Sequence, residues 1–221
     1  NRGFEVTREE ATAVARRAVG PDTHAIICFP PDGATDAALA PLLANAGAIT
    51  YLSTTGVYGD FEGVVDDRTP VATAPSTRME AEIAYRHVGA TILRAPGIYG
   101  SDRGLHVRVM RGDHAMPGTG ERALSRIHVE DLAELLLASR RVRGETYVVG
   151  DLEPAPQRDV VRWICETYGC AYPRSVPPEQ VHESLRRNRR IDASRVLSAL
   201  SVQLRFPTYR EGMLPRAVPD I

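Results

Sequence analysis

The stretch Tyr51–Gly59 reads YLSTTGVYG, and it decides the fold of this chain. Residues Ile49–Ser53 have the apolar, β-branched and aromatic character that favours a buried strand, and hydroxyl residues and a Tyr-Gly turn follow. In an open α/β sheet, ligands bind at the carboxyl ends of the strands. The stretch therefore predicts a strand together with a ligand site at its end.

Short apolar runs alternate with amphipathic helical patterns on both sides of this stretch. That alternation is typical of an α/β fold in which helices cover a parallel sheet. The predicted strands are His24–Phe29, Ile49–Ser53, Ala90–Arg94 and Glu145–Val149, and the predicted helices cover residues 8–19, 35–46, 77–88, 129–142, 157–168 and 192–200. Residues 60–76 are rich in Asp, Pro, Thr and Gly, which predicts a loop over the carboxyl edge of the sheet.

The composition excludes several classes of function. The 221 residues carry a formal net charge of −1, so no overall basic field attracts nucleic acid, although all 27 basic residues are arginine. Cys28, Cys165 and Cys170 lack Cys-x-x-Cys spacing and lie in apolar sequence, which predicts reduced, buried thiols in the cytoplasm and no metal site. No apolar run reaches the length of about 18 residues that a membrane span needs, so no membrane association is predicted.

Four blocks of the sequence form a recognisable series. The blocks are Tyr51–Gly59 (YLSTTGVYG), Leu93–Gly100 (LRAPGIYG), Arg126–Ala133 (RIHVEDLA) and Phe206–Gly212 (FPTYREG). Their order and spacings resemble the extended short-chain dehydrogenase/reductase superfamily. Within it, the likeness points to the atypical branch of NAD-dependent epimerase/dehydratase-like proteins, and it covers residues 22–215.

The resemblance implies a Rossmann-like, doubly wound parallel sheet with a small carboxyl-terminal substrate lobe. It also implies NAD or NADP as the cofactor and a small molecule as the substrate. A homodimer is usual in the superfamily, but a monomer stays open because the helix around Arg78, which would form the dimer contact, is altered. The implied divisions are residues 1–100 for a partial dinucleotide-binding core, 101–126 for a substrate-facing excursion, 127–150 for the return to the core and 151–221 for the lobe.

The chain departs from the family pattern at its beginning. Members of the family start with a strand, a turn of the Gly-x-Gly-x-x-Gly type and a helix whose amino end holds the cofactor pyrophosphate. No such motif occurs before His24. Either a first βα unit precedes this sequence, or the branch has lost its dinucleotide cradle. We expect the first, because loss of the central first strand would expose a buried sheet edge.

A second departure removes the acid/base pair of the family. The resemblance places the Tyr-x-x-x-Lys pair at Ala74 and Arg78, and the chain contains no lysine at all. A guanidinium still grips a ribose or a phosphate, but it is a poor proton carrier near neutral pH. The alanine transfers no proton, so a non-standard active site is predicted.

Hydroxyl residues at the strand ends are the remaining catalytic candidates. By the resemblance, Thr54 contacts a substrate hydroxyl or carbonyl, and Tyr58 or Tyr99 replaces the lost acid/base function. Each of the three also has a purely structural alternative in its own turn. The predicted cofactor-binding residues are Pro30, Pro31, Ser53, Arg78, Pro96, Gly97 and Ile98, of which the last three lie against the nicotinamide.

Several arginines are candidates for other roles. Arg94 ends a strand and resembles a family arginine that braces the site. Four arginines of the excursion could clamp a phosphate or carboxylate of the substrate, although exposed loop arginines are often only solvated. These four are Arg103, Arg108, Arg111 and Arg122.

Together these features predict an NAD(P)-dependent epimerase, dehydratase or reductase that acts on a small polar or sugar-like substrate. Two alternatives remain open: a catalytically silent sensor of NAD(P) or a metabolite, and a non-redox enzyme on the same fold. The missing Tyr-Lys pair favours the sensor. The retained Thr54 and the intact block Leu93–Gly100 favour an enzyme.

Overall fold

A computed structural model describes residues 8–182 and 185–214 of the chain. The strands are β1 His24–Ile27, β2 Ala48–Thr54, β3 Gly63–Val65, β4 Thr91–Ala95, β5 Gly97–Tyr99, β6 Met116–Pro117, β7 Ala123–Leu124, β8 Arg126–His128, β9 Thr146–Val148, β10 Ala155–Pro156, β11 Ser175–Val176 and β12 Arg189–Ile191. The helices are α1 Arg8–Ala18, α2 Ala34–Leu39, α3 Thr77–His87, α4 Leu105–Met110, α5 Val129–Ala138, α6 Gln157–Tyr168, α7 Ser194–Leu200 and α8 Tyr209–Gly212.

The central sheet is parallel, with the strand order β1-β2-β4-β9. In its register Leu52 pairs with Leu93, and Leu93 pairs with Tyr147. Every residue of β4 is buried, as expected for a parallel strand that helices cover on both faces. The predicted α/β, Rossmann-like fold is therefore confirmed, and all four predicted core strands are present.

Helices pack on both faces of this sheet. Neighbouring residues of a strand point to opposite faces, so Ile92 and Leu93 of β4 belong to separate hydrophobic cores. Ile92 shares its core with Tyr85 of α3, whereas Leu93 shares the other core with Leu135 of α5 and Leu200 of α7. The carboxyl ends of the strands therefore lie at a sheet edge between the two helix layers.

Two helices end several residues earlier than predicted, whereas the others end within one residue of the prediction. α2 stops at Leu39 and continues as a 3-10 turn over Ala40–Leu43, because Pro41 has no amide hydrogen to donate to a longer helix. α5 stops at Ala138 and is followed by a 3-10 turn, and the Ser139 hydroxyl there donates to a backbone carbonyl of the last turn.

The prediction of a loop over residues 60–76 is wrong in part. Gly63–Val65 forms β3, which pairs in parallel with β12 so that Val64 lies opposite Arg190. The Arg189 guanidinium adds hydrogen bonds to the backbone carbonyls of Thr55, Gly59 and Phe61. The partner strand is remote in sequence, so no local pattern could indicate this pairing.

A small parallel ladder joins two of the four sequence blocks. β5 pairs with β8, which places Gly97 opposite Arg126 and Tyr99 opposite His128. The block that follows β4 and the block that begins α5 are thereby fixed side by side at the end of the central sheet.

Other expectations have mixed outcomes. The cysteines are free, but none of the three is fully buried as predicted. Cys28 is exposed, because β1 ends one residue before it, and Cys165 and Cys170 are half-buried. Within the described ranges, no helix has the length and apolar character to cross a membrane.

The division into a core, an excursion and a lobe stays a prediction. Residues 1–7, 183–184 and 215–221 of those ranges lie outside the described part of the chain.

Candidate active site

A cavity of about 330 Å³ opens where β2 and β4 end. It brings together half of the residues that the sequence predicts for the site, namely Thr54, Tyr99 and the run Pro96–Ile98. The described residues around it are Thr54, Thr55, Gly56, Pro96, Gly97, Ile98, Tyr99, Gly104, Leu105, Arg108, Ala123, Leu124, Ser125, Arg126, Leu185, Arg187, Arg189, Ile191 and Met213.

Thr54 is held at the end of β2 by the turn that follows it. Its side-chain oxygen accepts a hydrogen bond of 3.1 Å from the Gly56 amide, which caps a 3-10 turn over Thr55–Tyr58. A threonine hydroxyl has one hydrogen to donate besides its lone pairs. Because the residue is only half-buried and lines the cavity, that hydrogen is available to an oxygen of a ligand.

Pro96, Gly97 and Ile98 form one side of the cavity, where Gly97 is exposed and its two neighbours are half-buried. A Cβ atom placed on Gly97 would meet only the Ser125 carbonyl oxygen, at 3.9 Å. The missing side chain thus leaves room for a planar ligand group against the backbone.

Tyr99 also lines the cavity, but its hydroxyl already has a partner. It donates to the Thr208 carbonyl at 3.4 Å, and the ring packs edge-on against His128. Burial raises the pKa of the Tyr99 hydroxyl, and the nearby Asp151 carboxylate raises it further. Tyr99 therefore keeps its proton at neutral pH.

Tyr58 and Ser53 do not reach the cavity, because both belong to a buried polar cluster behind it. Arg94 donates two hydrogen bonds to Glu82, of 3.1 and 2.7 Å, and a third of 3.1 Å to the Tyr58 hydroxyl. The Ser53 hydroxyl donates to Glu82 at 2.6 Å. Arg94 thereby joins α3 to the turn that follows β2, and its role in bracing the site stays a prediction. The geometry gives no support to the catalytic role predicted for Tyr58 or the cofactor role predicted for Ser53.

The remaining predicted cofactor residues also lie outside the cavity lining. Arg78 donates to the Tyr51 hydroxyl at 3.0 Å and to the Leu52 carbonyl at 3.4 Å, so its guanidinium is turned onto β2. Pro30 and Pro31 follow the end of β1. Their contact with a cofactor stays a prediction.

Of the four excursion arginines, only Arg108 lines the cavity. Arg122 instead pairs with Glu62 at 2.9 Å beside it. The sequence did not single out Arg126, Arg187 and Arg189 for the site, and β8 and β12 bring the first and last of these to it. For Arg126, a signal was present in its own block, since it directly precedes the Ile-His-Val motif.

A buried carboxylate lies next to Arg126. The Asp151 amide donates to the Arg126 carbonyl at 2.7 Å, and the Asp151 side chain is 1% exposed, with neither carboxylate oxygen in a hydrogen bond. Burial raises the pKa of Asp151 to about 7, although the Arg126 charge opposes the shift. The carboxyl is therefore partly neutral near neutral pH, because its burial disfavours the charged form.

We expect the protein to lose stability as the pH rises from 6 to 8. The folded pKa of Asp151 is about 7, against 3.8 for an ordinary aspartate, so the folded state binds this proton more tightly. The stabilisation is complete below the unfolded pKa and is lost as the pH rises through the folded pKa. The loss between pH 6 and pH 8 is on the order of 1 kcal/mol. Urea unfolding at each pH measures it.

The variant Asp151→Asn should remove this part of the pH dependence, because it carries no titrating proton. Other groups titrate alike in both proteins, so the difference between the two pH profiles isolates Asp151. Asp113→Asn, at an exposed position, serves as the control and should leave the profile as it is. An Asp151→Asn profile parallel to that of the unsubstituted protein would contradict the assignment.

Comparisons with known proteins add to this geometry. No family model matches the chain, and no curated protein matches it. Among solved structures, a conserved protein of unknown function from Silicibacter pomeroyi is 32% identical, with a TM-score of 0.71 over 86% of this chain and 75% of that chain.

Two enzymes of known activity have a similar fold at lower identity. The dTDP-glucose 4,6-dehydratase of Bacillus anthracis, in complex with NAD, is 17% identical, with a TM-score of 0.74 over 95% of this chain and 76% of that chain. The UDP-glucose 4-epimerase of Thermotoga maritima, with UDP-glucose, is 16% identical, with a TM-score of 0.73 over 95% and 81%.

The parallel sheet and the cavity at its carboxyl edge define a Rossmann-like α/β protein. Within that class, the chain is related to the Silicibacter pomeroyi protein and shares its fold with NAD-dependent epimerases and dehydratases. The fold that the four sequence blocks implied is thereby confirmed.

Proposed function

We propose that the protein is an NAD(P)-dependent oxidoreductase of the epimerase, dehydratase or reductase kind, acting on a small polar or sugar-like substrate. One observation carries this proposal: the Thr54 side chain and the Pro96–Ile98 backbone line the same cavity at the carboxyl edge of the sheet. Two solved structures of similar fold support this kind of enzyme, since one is a dehydratase in complex with NAD and the other is an epimerase with UDP-glucose.

The cavity wall at Pro96–Ile98 fits the nicotinamide end of such a cofactor. The open backbone at Gly97 accepts a planar ring, and Pro96 limits the freedom of the chain beside it. When bound there, the nicotinamide supplies the hydride donor or acceptor of the reaction. The fit concerns this end of the cofactor alone, because no Gly-x-Gly-x-x-Gly cradle occurs before His24.

Two hydroxyl residues, Thr54 and Tyr99, supply the protein's part in the reaction. Thr54 orients the reacting oxygen of the substrate with the hydrogen that its turn leaves unused. The described lining contains no carboxylate, imidazole or thiol, so the proton comes from a hydroxyl or from water. Tyr99 is the proposed proton donor. Its hydroxyl would leave the Thr208 carbonyl and hydrogen-bond to the substrate oxygen instead.

A catalytically silent sensor is the second candidate. Ala74 is exposed and carries no proton donor, and the Arg78 guanidinium contacts Tyr51 and Leu52 instead of facing the cavity. No side chain thus replaces the family's pair at its own position. A protein of this kind would bind the cofactor and report on it without turnover.

Calorimetric titration of the full chain with NAD(H) and NADP(H) tests the proposed function. We expect one of the two cofactors to bind, and a panel of small polar and sugar-like compounds to include one that is turned over. Binding without turnover would favour the sensor. If neither cofactor binds, the oxidoreductase proposal fails.

A further inference from the structure

Two guanidinium groups that line the cavity have hydrogen-bond donors without a described acceptor. Arg126 is only 5% exposed; its Nη2 donates to the Leu124 carbonyl at 3.0 Å, while its Nη1 has no hydrogen-bond partner. Arg108, at the other side, lines the cavity from α4, and no described carboxylate forms an ion pair with it. Arg108 can therefore still donate hydrogen bonds to a ligand, and Arg126 keeps one donor that no described acceptor takes.

The charge around these two arginines is unbalanced. The described lining includes four arginines and no aspartate or glutamate. Asp151 lies close to Arg126 but makes no hydrogen bond to it through its carboxylate. By residue type, the described lining thus carries positive but no negative side chains.

A buried guanidinium with an unmet donor is costly to a folded protein. An anion in the cavity would remove that cost, because a carboxylate or a phosphate accepts hydrogen bonds from the planar fork of an arginine side chain. The cavity is also small, since ligand pockets range from about 300 to 1,000 Å³ and this one measures about 330 Å³. Its size favours a small acid over a nucleotide sugar.

We infer that the cavity binds a small molecule through one anionic group, a carboxylate or a phosphate, held between Arg108 and Arg126. The opposite end of that molecule then lies toward Thr54 and Pro96–Ile98. That the bound acid is the substrate of a redox reaction rests on the proposed function, whereas the anion site itself stands on the two arginines.

Calorimetric titration with inorganic phosphate and with malonate, at constant ionic strength set with chloride, tests the site. We expect at least one probe to bind, and the tighter one identifies the anion as phosphate or carboxylate. Arg108→Gln should weaken its binding by about tenfold, the effect of one charge-assisted hydrogen bond. The control Arg111→Gln, at an exposed position of the same segment outside the lining, should leave it unchanged.

A second variant, Arg126→Gln, tests the buried side of the site. It should weaken the binding of the same probe at least tenfold, and its thermal unfolding shows whether the fold is kept. Arg108 is exposed, so Arg108→Gln carries the test even if Arg126→Gln does not fold. Failure of both probes to bind, or equal binding to Arg108→Gln and Arg111→Gln, would overturn the inference.

The cofactor titration separates this inference from the proposed function. If NAD(H) or NADP(H) binds while phosphate and malonate do not, only the anion site is refuted. If an anion binds in an Arg108-dependent way while neither cofactor does, the anion site stands and the oxidoreductase proposal fails.

Discussion

Replacing Glu82 with alanine is expected to lower the free energy of unfolding by about 3–5 kcal/mol, the usual cost of removing one partner of a buried ion pair. The Glu82 side chain is fully buried, and that of Arg94 is 5% exposed. The variant would leave the Arg94 guanidinium without its two bonds to the carboxylate and the Ser53 hydroxyl without its acceptor. Urea unfolding at neutral pH measures the loss.

Lowering the pH should destabilise the folded protein, as the substitution Glu82→Ala does. Although burial opposes it, the hydrogen bonds and charge of Arg94 lower the pKa of Glu82 below its ordinary value. A lowered carboxyl pKa stabilises the folded state fully above the unfolded pKa, and this contribution is lost as the pH falls through the folded pKa. The unsubstituted protein should therefore lose stability in acid through this group, and Glu82→Ala should lack that component.

Glu80 supplies the matched control for this experiment. It lies on the same helix, α3, but is exposed, so Glu80→Ala should change the stability by no more than about 0.5 kcal/mol. Similar losses in Glu80→Ala and Glu82→Ala would mean that the helix itself, and not the ion pair with Arg94, determines the effect.

Replacing Thr54 with valine is expected to reduce kcat by about 100-fold, the lower end of what one positioned donor contributes to a transition state. Valine keeps the branched shape but removes the hydroxyl that lines the cavity. The rate of formation of reduced nicotinamide, with a substrate from the compound panel, measures the change. Since Thr54 also accepts from the Gly56 amide, a loss of about 1 kcal/mol in stability should accompany it.

Thr54→Ser separates the catalytic part from the structural part. Serine retains both the acceptor for the Gly56 amide and the hydrogen to donate, so most of the activity should return. Thr35→Val, at a threonine outside the cavity lining, controls for the general effect of losing a hydroxyl. A Thr54→Val protein with unchanged kcat would show that Thr54 only caps its turn.

Local sequence was enough to predict much of the fold. Continuous apolar runs mark strands that are buried on both faces, and amphipathic periods mark the helices between them. The two corrections at helix ends have local causes, in Pro41 and Ser139. The pairing of Gly63–Val65 with Arg189–Ile191 could not be predicted, because neither strand is long or periodic enough to show without its partner.

The candidate site was predicted less completely than the fold. Thr54 and Pro96–Ile98 line the cavity as their strand-end positions suggested, since parallel strands end at one edge. Tyr58 comes only four residues after Thr54, yet at the end of the 3-10 turn it lies outside the cavity lining, where its hydroxyl accepts from Arg94. The direction of a side chain in a turn depends on what packs against it, and here that partner is on another strand.

The sequence by itself determined the fold class and the absence of a Tyr-x-x-x-Lys pair, because these follow from residue identity and periodicity along the chain. Only the tertiary structure decided which side chains share the cavity. Arg108 and Arg126 line the cavity together with Thr54, whereas the Arg78 guanidinium contacts Tyr51 instead. Strand register and long-range packing set where each of these side chains points.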